Sequence, residues 1–242
     1  MNVDKGLYNE PVVLKISGEC MTKDGFGIDD NAHFIAGEID RISPCSKLAI
    51  IIGGGNFAKG SILTQTIGIR RVVADIMGML GTIQNALALQ EILEQRFKRN
   101  VRVMSSITVN QIAEPYIIKR MLSHIAKMRV VILAGGDGNP GSSSDHATVT
   151  KAVEMDAKWI LKGTKVDGIF SEDPAKYSEA RFIPRITHDE FIKNNLDIMD
   201  ITAVIQARDR NINIRIFNIF KRHNLSRIMQ GEEVGSVIAT SP

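Results

Sequence analysis

Short, almost wholly apolar runs alternate along this chain with longer segments whose apolar residues recur every three or four positions. Val12-Val13-Leu14-Lys15-Ile16 predicts a buried strand, and Lys47 to Ile52 a second of nearly pure apolar character. Runs of that kind belong to strands covered on both sheet faces. Further strands are predicted at Val101 to Ser105, Val130 to Ala134, Trp159 to Lys162, Ile214 to Phe217 and Val234 to Ala239. The helical period covers Asn31 to Ile42, closed by Ser43-Pro44, then Val72 to Phe97, Pro115 to Lys127, Ser144 to Met155, Ile198 to Arg210 and the short Leu225 to Met229. Asp167 to Tyr177 reads as turns, from its Gly and Asp-Pro signals. Strands alternating with helices predict a parallel or mixed α/β sandwich. With no repeat and no long linker, residues 1–242 read as a single domain, of which 1–10 form a tail.

Glycine placement adds chemistry to this pattern. Three glycine-rich segments each follow a predicted strand: Lys15-Ile16-Ser17-Gly18, Gly53-Gly54-Gly55-Asn56 and Gly135-Gly136-Asp137-Gly138-Asn139-Pro140. Ligands of α/β sheets sit at the carboxyl ends of the strands. Glycine there lets backbone N–H groups face an anion with no Cβ in the way, and a following helix adds its N-terminal dipole. Three such loops, one carrying a lysine, point to several phosphates. Gly78 and Gly81 interrupt the long helix at about 1 kcal/mol each relative to alanine, which predicts a close backbone approach there. No GxxxxGK[ST] occurs, which excludes P-loop kinases; no GxGxxG opens a helix in the first βαβ unit, which argues against a Rossmann dehydrogenase, and no GxSxG elbow is present.

The 242 residues carry 30 Lys+Arg against 27 Asp+Glu, a net charge of +3. That balance gives no basis for a nucleic-acid or anionic-membrane partner. The basic pairs Arg70-Arg71, Lys98-Arg99, Lys119-Arg120 and Lys221-Arg222 read as solvated faces. No apolar run approaches the roughly 20 residues that span a bilayer, and Met1 to Glu10 lacks the apolar core of a secretory signal. Cys20 and Cys45 form no CxxC pair, so two reduced thiols in a cytoplasmic protein are expected. The histidines, His146 among them, show no metal-ligand spacing and read as surface or structural residues.

The segments LKISGE at Leu14, DGFGID at Asp24, IIGGGN at Ile51, RVVADIMGML at Arg71, GNP at Gly138, KGTKVDGIFSEDPAK at Lys162 and RIFN at Arg215 carry a resemblance over about Val12 to Val237. By these motifs the chain resembles the bacterial uridylate (UMP) kinases of the amino-acid-kinase superfamily. The resemblance implies a three-layer α/β/α sandwich with a mostly parallel central sheet. It also implies phosphoryl transfer from ATP to UMP with Mg2+, in pyrimidine nucleotide synthesis.

It further implies roles for named residues. Lys15, Ile16, Ser17 and Gly18 would cradle the ATP phosphates together with Gly55 and Lys59, and Thr164, Phe170 and Asp173 would hold the adenine nucleotide. Gly54 would approach the UMP phosphate and Asp75 the UMP ribose hydroxyls. The acceptor loop would be Asp137, Gly138, Asn139, Pro140, Gly141, Ser142, Ser143 and Ser144. Lys162, Asp145 and Asp200 would organise charge around the transferred group. Thr22, Lys23, Asp24, Gly25, Phe26 and Gly27 match a region tied to activation by GTP; UTP as inhibitor and a homohexamer are also implied. Two departures stand out. Lys59 replaces the family's arginine after GGGN, keeping the charge but losing a bidentate fork. In the acceptor loop an aromatic pair has become Gly141-Ser142, and Asp137 replaces a hydroxyl near the base. Another acceptor, or a non-catalytic anion-binding protein on the same fold, remains open at this point.

Overall fold

A computed structural model describes residues 6–42 and 46–240. The first five residues of the tail, the Ser43-Pro44 stop, Cys45 and the last two residues lie outside the described residues. The chain runs β1 (Pro11–Ile16), α1 (Asn31–Asp40), β2 (Lys47–Ile52), α2 (Gly60–Ile67), α3 (Arg71–Phe97), β3 (Val101–Ser105), β4 (Glu114–Pro115), α4 (Ile118–Ala126), β5 (Val130–Ala134), α5 (Ser144–Glu154) and β6 (Trp159–Thr164). It continues through β7 (Ile169–Phe170), β8 (Phe182–Ile183), β9 (Arg185–Thr187), α6 (His188–Lys193), α7 (Ile201–Asp209), β10 (Asn213–Asn218), α8 (Asn224–Met229) and β11 (Ser236–Ala239).

Nine strands form one sheet in the order β4-β3-β5-β2-β1-β6-β10-β11-β9, and β7 pairs with β8 in a separate hairpin. Only the β10–β11 pairing of the large sheet is antiparallel. Side chains alternate across each strand, so the sheet carries two cores. Leu14, Ile16, Leu48, Ile50 and Ile132 face α1, α3 and α8, packing on Ile35, Ile39, Leu89, Leu93 and Leu225. Val13, Ala49, Ile51, Val131 and Ile160 face the other way, onto Met121, Val149, Ala152, Val204 and Phe191 of α4, α5, α7 and α6. The expected three-layer sandwich is therefore the observed one. β1 pairs with β2 on one edge and β6 on the other. Strand order reverses there, and the crevice at the strand carboxyl ends opens at that point.

Several expectations are corrected. α2, the β7–β8 hairpin, β9 and α6 were not anticipated. The helix expected from Pro115 begins at Ile118, because Pro115 pairs with Ser105 of β3. The helix expected from Ile198 begins at Ile201, where the Asp200 side chain accepts the Thr202 N–H at 2.8 Å as N-cap. Of the basic pairs, expected as solvated faces, Arg71 and Lys221 are largely exposed while pairing with Asp75 and Asp167, whereas Arg99 is mostly covered against Asp40. α3 is long and apolar enough, by length and composition, to cross a membrane. Its Ile83, Ala86, Leu89 and Leu93 are nevertheless built into the core, which accounts for that apolarity.

The mid-helix glycines of α3 have the reason the sequence pattern suggested. A Cβ on Gly54 would lie 2.1 Å from the Gly78 carbonyl oxygen, and one on Gly81 would lie 3.0 Å from the Gly54 oxygen. The β2 loop thus rests directly on the α3 backbone. Gly54→Ala should lower stability by about 1–3 kcal/mol or more, as overpacking against backbone does. A urea midpoint equal to that of the parent would overturn this packing argument.

Candidate active site

Parallel register sets the centre of the site. Lys15 pairs with Ile51 on one side and with Lys162 on the other, so two lysines stand side by side on the α5/α7 face of the sheet. Both are buried, at 5% and 3% relative exposure. Asp145, in the first turn of α5, enters between them. Its Oδ1 lies 3.0 Å from the Lys15 ammonium and its Oδ2 accepts from Lys162 at 2.7 Å. The Asp200 backbone N–H donates to the same Oδ2 at 3.1 Å. Lys162 also donates to the Ile198 carbonyl at 2.7 Å, and Lys15 to Ser17 Oγ at 3.1 Å.

Two ammoniums share the Asp145 carboxylate, and the Asp200 carboxylate also acts on Lys162. Burial alone raises the Asp145 carboxyl, but Lys15 and Lys162 outweigh it and hold the group well below the usual carboxylate range. Burial and the like charge of Lys15 push the Lys162 ammonium down to about 8, against the pull of Asp145. Burial also opposes the Asp200 charge, yet bonds from Ser143 and Thr202 leave that carboxyl below its ordinary value. The N-termini of α5 and α7 both open here, capped by Ser143 and Asp200. Their dipoles add a positive field.

The first two glycine loops are fastened to each other. Gly53 N–H donates to the Ile16 carbonyl at 2.9 Å, and a Cβ on Gly18 would lie 2.5 Å from the Gly53 oxygen. Asn56 and Asn85, both buried, exchange side-chain bonds of 2.9 and 2.7 Å. Asn85 also donates to the Gly53 carbonyl and Asn56 to that of Gly27, each at 2.7 Å. This amide pair locks the β2 loop onto α3 and ties it to the Thr22–Gly27 segment. Lys59 stands half-exposed and pairs with Glu19. Gly55 lies against the Lys59 side chain.

The third glycine loop leaves β5 through Gly135, Gly136 and Gly138, all at positive φ, as is Gly141. Its root is held by Thr82 Oγ1, which accepts the Gly135 N–H at 2.7 Å, and by Ser106 Oγ, which donates to the Gly136 carbonyl at 2.9 Å. Asn139 and Pro140 are exposed at the tip, and Ser144 Oγ faces Gly53. The Gly141 N–H reaches Asp75 Oδ2 at 3.0 Å, while Arg71 holds Asp75 Oδ1 at 2.7 Å. His146, expected to be a surface or satisfied histidine, is partly exposed and has its Nδ1 2.9 Å from Asp137 Oδ2 within this loop.

Other expected residues are placed less centrally. Thr164 is buried at the end of β6 and donates to the Val166 carbonyl at 3.0 Å. Phe170 packs edge-on against Phe182 of the hairpin, with ring centroids 5.5 Å apart. Asp173 is exposed and organises its own turn by accepting the Ala175 N–H at 3.0 Å. No hydrogen bond joins either to the lysine pair among the described residues. Phe26 is 75% exposed and meets Phe57 edge-on at 6.0 Å. Sequence reasoning missed Arg71, Thr82, Ser106 and His146 as parts of this site. Only Arg71 carried a usable signal, its i,i+4 spacing to Asp75.

The amino acid kinase family model matches residues 10–218. A uridylate kinase from Methylococcus capsulatus is 41% identical over 95% of this chain and 96% of its own length. The crystal structure of UMP kinase from Bacillus anthracis superposes with a TM-score of 0.91 at 35% identity, covering 96% of this chain and 97% of the other. UMP kinase from Ureaplasma parvum gives 0.88 at 31% identity, over 96% and 99%. The three glycine loops gather at the switch point of the sheet, and the chain belongs to the amino acid kinase family and to its uridylate kinase branch.

Asp145→Asn should cost about 3–5 kcal/mol, because it leaves two buried ammoniums uncompensated. The sign with pH follows from the lowered carboxyl. Its contribution is complete above about pH 4, the unfolded value, and is lost as pH falls through the lower folded value. Denaturation of parent and variant from pH 7 to 2 should show their difference narrowing only below about pH 4. A difference that is constant over that range would contradict the ion-pair argument.

Proposed function

We propose that this protein transfers the terminal phosphoryl group of ATP to UMP, giving ADP and UDP, in the cytoplasm and upstream of CTP. The observation that carries the reading is the Lys15–Asp145–Lys162 cluster beneath three glycine loops and two helix N-termini. The nucleophile is a UMP phosphate oxygen. With a second pKa of about 6 it is already ionised at neutral pH, so no side-chain base is required. The barrier is the approach of two anions. Fixed cations and aimed N–H groups lower it most where charge builds up in the transition state.

In this reading Lys15 and Lys162 meet the transferring group, held apart and oriented by Asp145. Ser17, Gly18, Gly55 and Lys59 line the ATP phosphates; Thr164, Phe170 and Asp173 serve the adenosine. Gly54, Asp75 and the loop from Asp137 to Ser144 receive UMP. No group of three or more His, Cys, Asp or Glu side chains able to cage a metal exists among the described residues. Magnesium needs only one or two carboxylates besides nucleotide phosphates; Asp145 is committed to the two lysines, so Asp200 is the carboxylate that would orient the ion's water. The ion would supply charge neutralisation on the ATP phosphates. Thr22–Gly27, hydrogen-bonded to Asn56, is our candidate for a response to GTP, with UTP as the opposing effector.

The decisive assay offers UMP, CMP, dUMP, AMP and acetylglutamate in turn with Mg-ATP and follows ADP release. UMP should be the preferred acceptor; turnover with no nucleoside monophosphate would refute the proposal. Lys15→Ala should lower kcat on the order of 10²–10³-fold, the usual loss for one transition-state contact. Stability should change little, since the substitution also relieves repulsion between Lys15 and Lys162. A kcat near the parent value would sink the assigned role.

The proposal includes a homo-oligomer, and a hexamer is our expectation. Val73, Ile76, Met77 and Leu80 form an exposed i, i+3, i+4, i+7 stripe on α3, extended by Ile62 and Ile67 of α2. Contiguous apolar surface of this kind marks an interface. Met77→Asp with Leu80→Asp should shift the species seen in sedimentation velocity to a smaller assembly. An unaltered sedimentation coefficient would place the interface elsewhere.

A further inference from the structure

Beyond the Gly138 N–H bond to the Gly135 carbonyl, two tethers reach the tip of the third glycine loop among the described residues. One is the Gly141 N–H on Asp75 Oδ2 at 3.0 Å. The other is a three-residue clasp. Ser142 Oγ donates to Asp137 Oδ2 at 2.6 Å, His146 Nδ1 lies 2.9 Å from the same oxygen, and Ser142 Oγ lies 3.1 Å from Nδ1. A carboxylate only accepts, so Nδ1 carries a proton in this clasp. That holds for the neutral Nδ1–H tautomer and for the imidazolium alike. Asp137 is mostly enclosed, with its side chain 15% exposed, and His146 is 39% exposed on the first turn of α5.

These two tethers have different fates when the acceptor arrives. On the reading proposed above, the ribose hydroxyls of UMP take the Asp75 carboxylate, and the Gly141 N–H must let it go. The clasp touches neither Asp75 nor the lysine pair, so release of the Gly141 N–H from Asp75 does not of itself break it. Gly138 and Gly141 at positive φ and the absence of an apolar anchor at Gly141-Ser142 leave the tip with no other fastening among the described residues. We infer that His146 is a positioning residue for the acceptor: through Asp137 and Ser142 it keeps the loop folded onto α5 while UMP binds. Preordering a loop lowers the entropy cost charged against affinity, so the effect falls on the acceptor and not on ATP.

The inference rests on UMP being the acceptor, and the experiment separates the two. Steady-state constants would be measured for both substrates in the parent, His146→Ala, His146→Asn and Ser142→Ala. Losing one charge-assisted hydrogen bond should raise the KM for UMP roughly tenfold in His146→Ala, with the KM for ATP shifted less than about twofold. Asparagine places an N–H where Nδ1–H stands, so His146→Asn should recover most of the loss, and Ser142→Ala should show a smaller change in the same direction. If His146→Ala does not fold, the other two variants carry the comparison. Equal rises in both KM values, or no rescue by asparagine, would reduce His146 to a general structural residue and overturn the inference. A parent enzyme active on UMP whose KM ignores all three changes would overturn it while leaving the proposed function intact. A parent inactive on UMP would overturn both.

Discussion

Two buried lysines side by side on neighbouring parallel strands repel each other, and the architecture around them is arranged by the need to offset that repulsion. The register of β1 on β6 puts Lys15 beside Lys162, and sheet geometry allows them no escape to solvent. A single carboxylate with an oxygen for each ammonium is an economical answer. It requires α5 to start at this spot, since Asp145 lies in its first turn. It also draws in the Ile198 carbonyl and the Asp200 N–H, and so fixes where α7 begins. The helix dipoles that favour an anion are therefore by-products of satisfying the lysine pair. Asp145 compensates one of the two charges, and the partly exposed Asp200 carboxylate also acts on Lys162.

The second constraint is thickness. For phosphates to reach the strand ends, the loops must be thin and must not move. Thinness comes from glycines that touch backbone directly, as Gly54 does on Gly78 and Gly18 on Gly53. Immobility comes from Asn56 and Asn85, which fill each other's hydrogen-bonding capacity and reach two loop carbonyls. Buried amides are costly unless fully partnered; here each is partnered on both its oxygen and its nitrogen.

Much of this was legible in the sequence, unevenly. The central strands were readable to within two residues, because continuous apolar runs bounded by Gly or charge have few other fates. The mid-helix glycines of α3 announced a close approach, though not its partner. Short edge elements were not legible. α6 carries a Thr187/Glu190 capping box, a pattern visible in sequence, but its six residues offer too little period to recognise. The resemblance put both lysines at one site, but their direct pairing could not be seen. Lys15 and Lys162 lie far apart in the chain, and only strand order makes them neighbours. The same holds for Asp75 and Gly141, which one hydrogen bond joins across most of the acceptor side.

The acceptor loop shows why a departure from a family pattern is best judged by its replacement. Substituting Gly141-Ser142 for aromatics removes an apolar anchor and, taken alone, predicts a loose loop. Asp137, taken alone, predicts an unwelcome carboxylate near a phosphate. Together with His146 they form a bonded unit, in which the carboxylate is turned onto a donor of α5 and away from the lysine cluster. Hydrophobic packing and a charged hydrogen-bond clasp hold a loop by different means. The first is indifferent to direction, and the second works only at one geometry. A clasp therefore fixes the loop in one conformation and releases it abruptly once that geometry is lost. On the proposed reading, a loop held this way depends on the identity of His146, where an apolar anchor would depend chiefly on bulk.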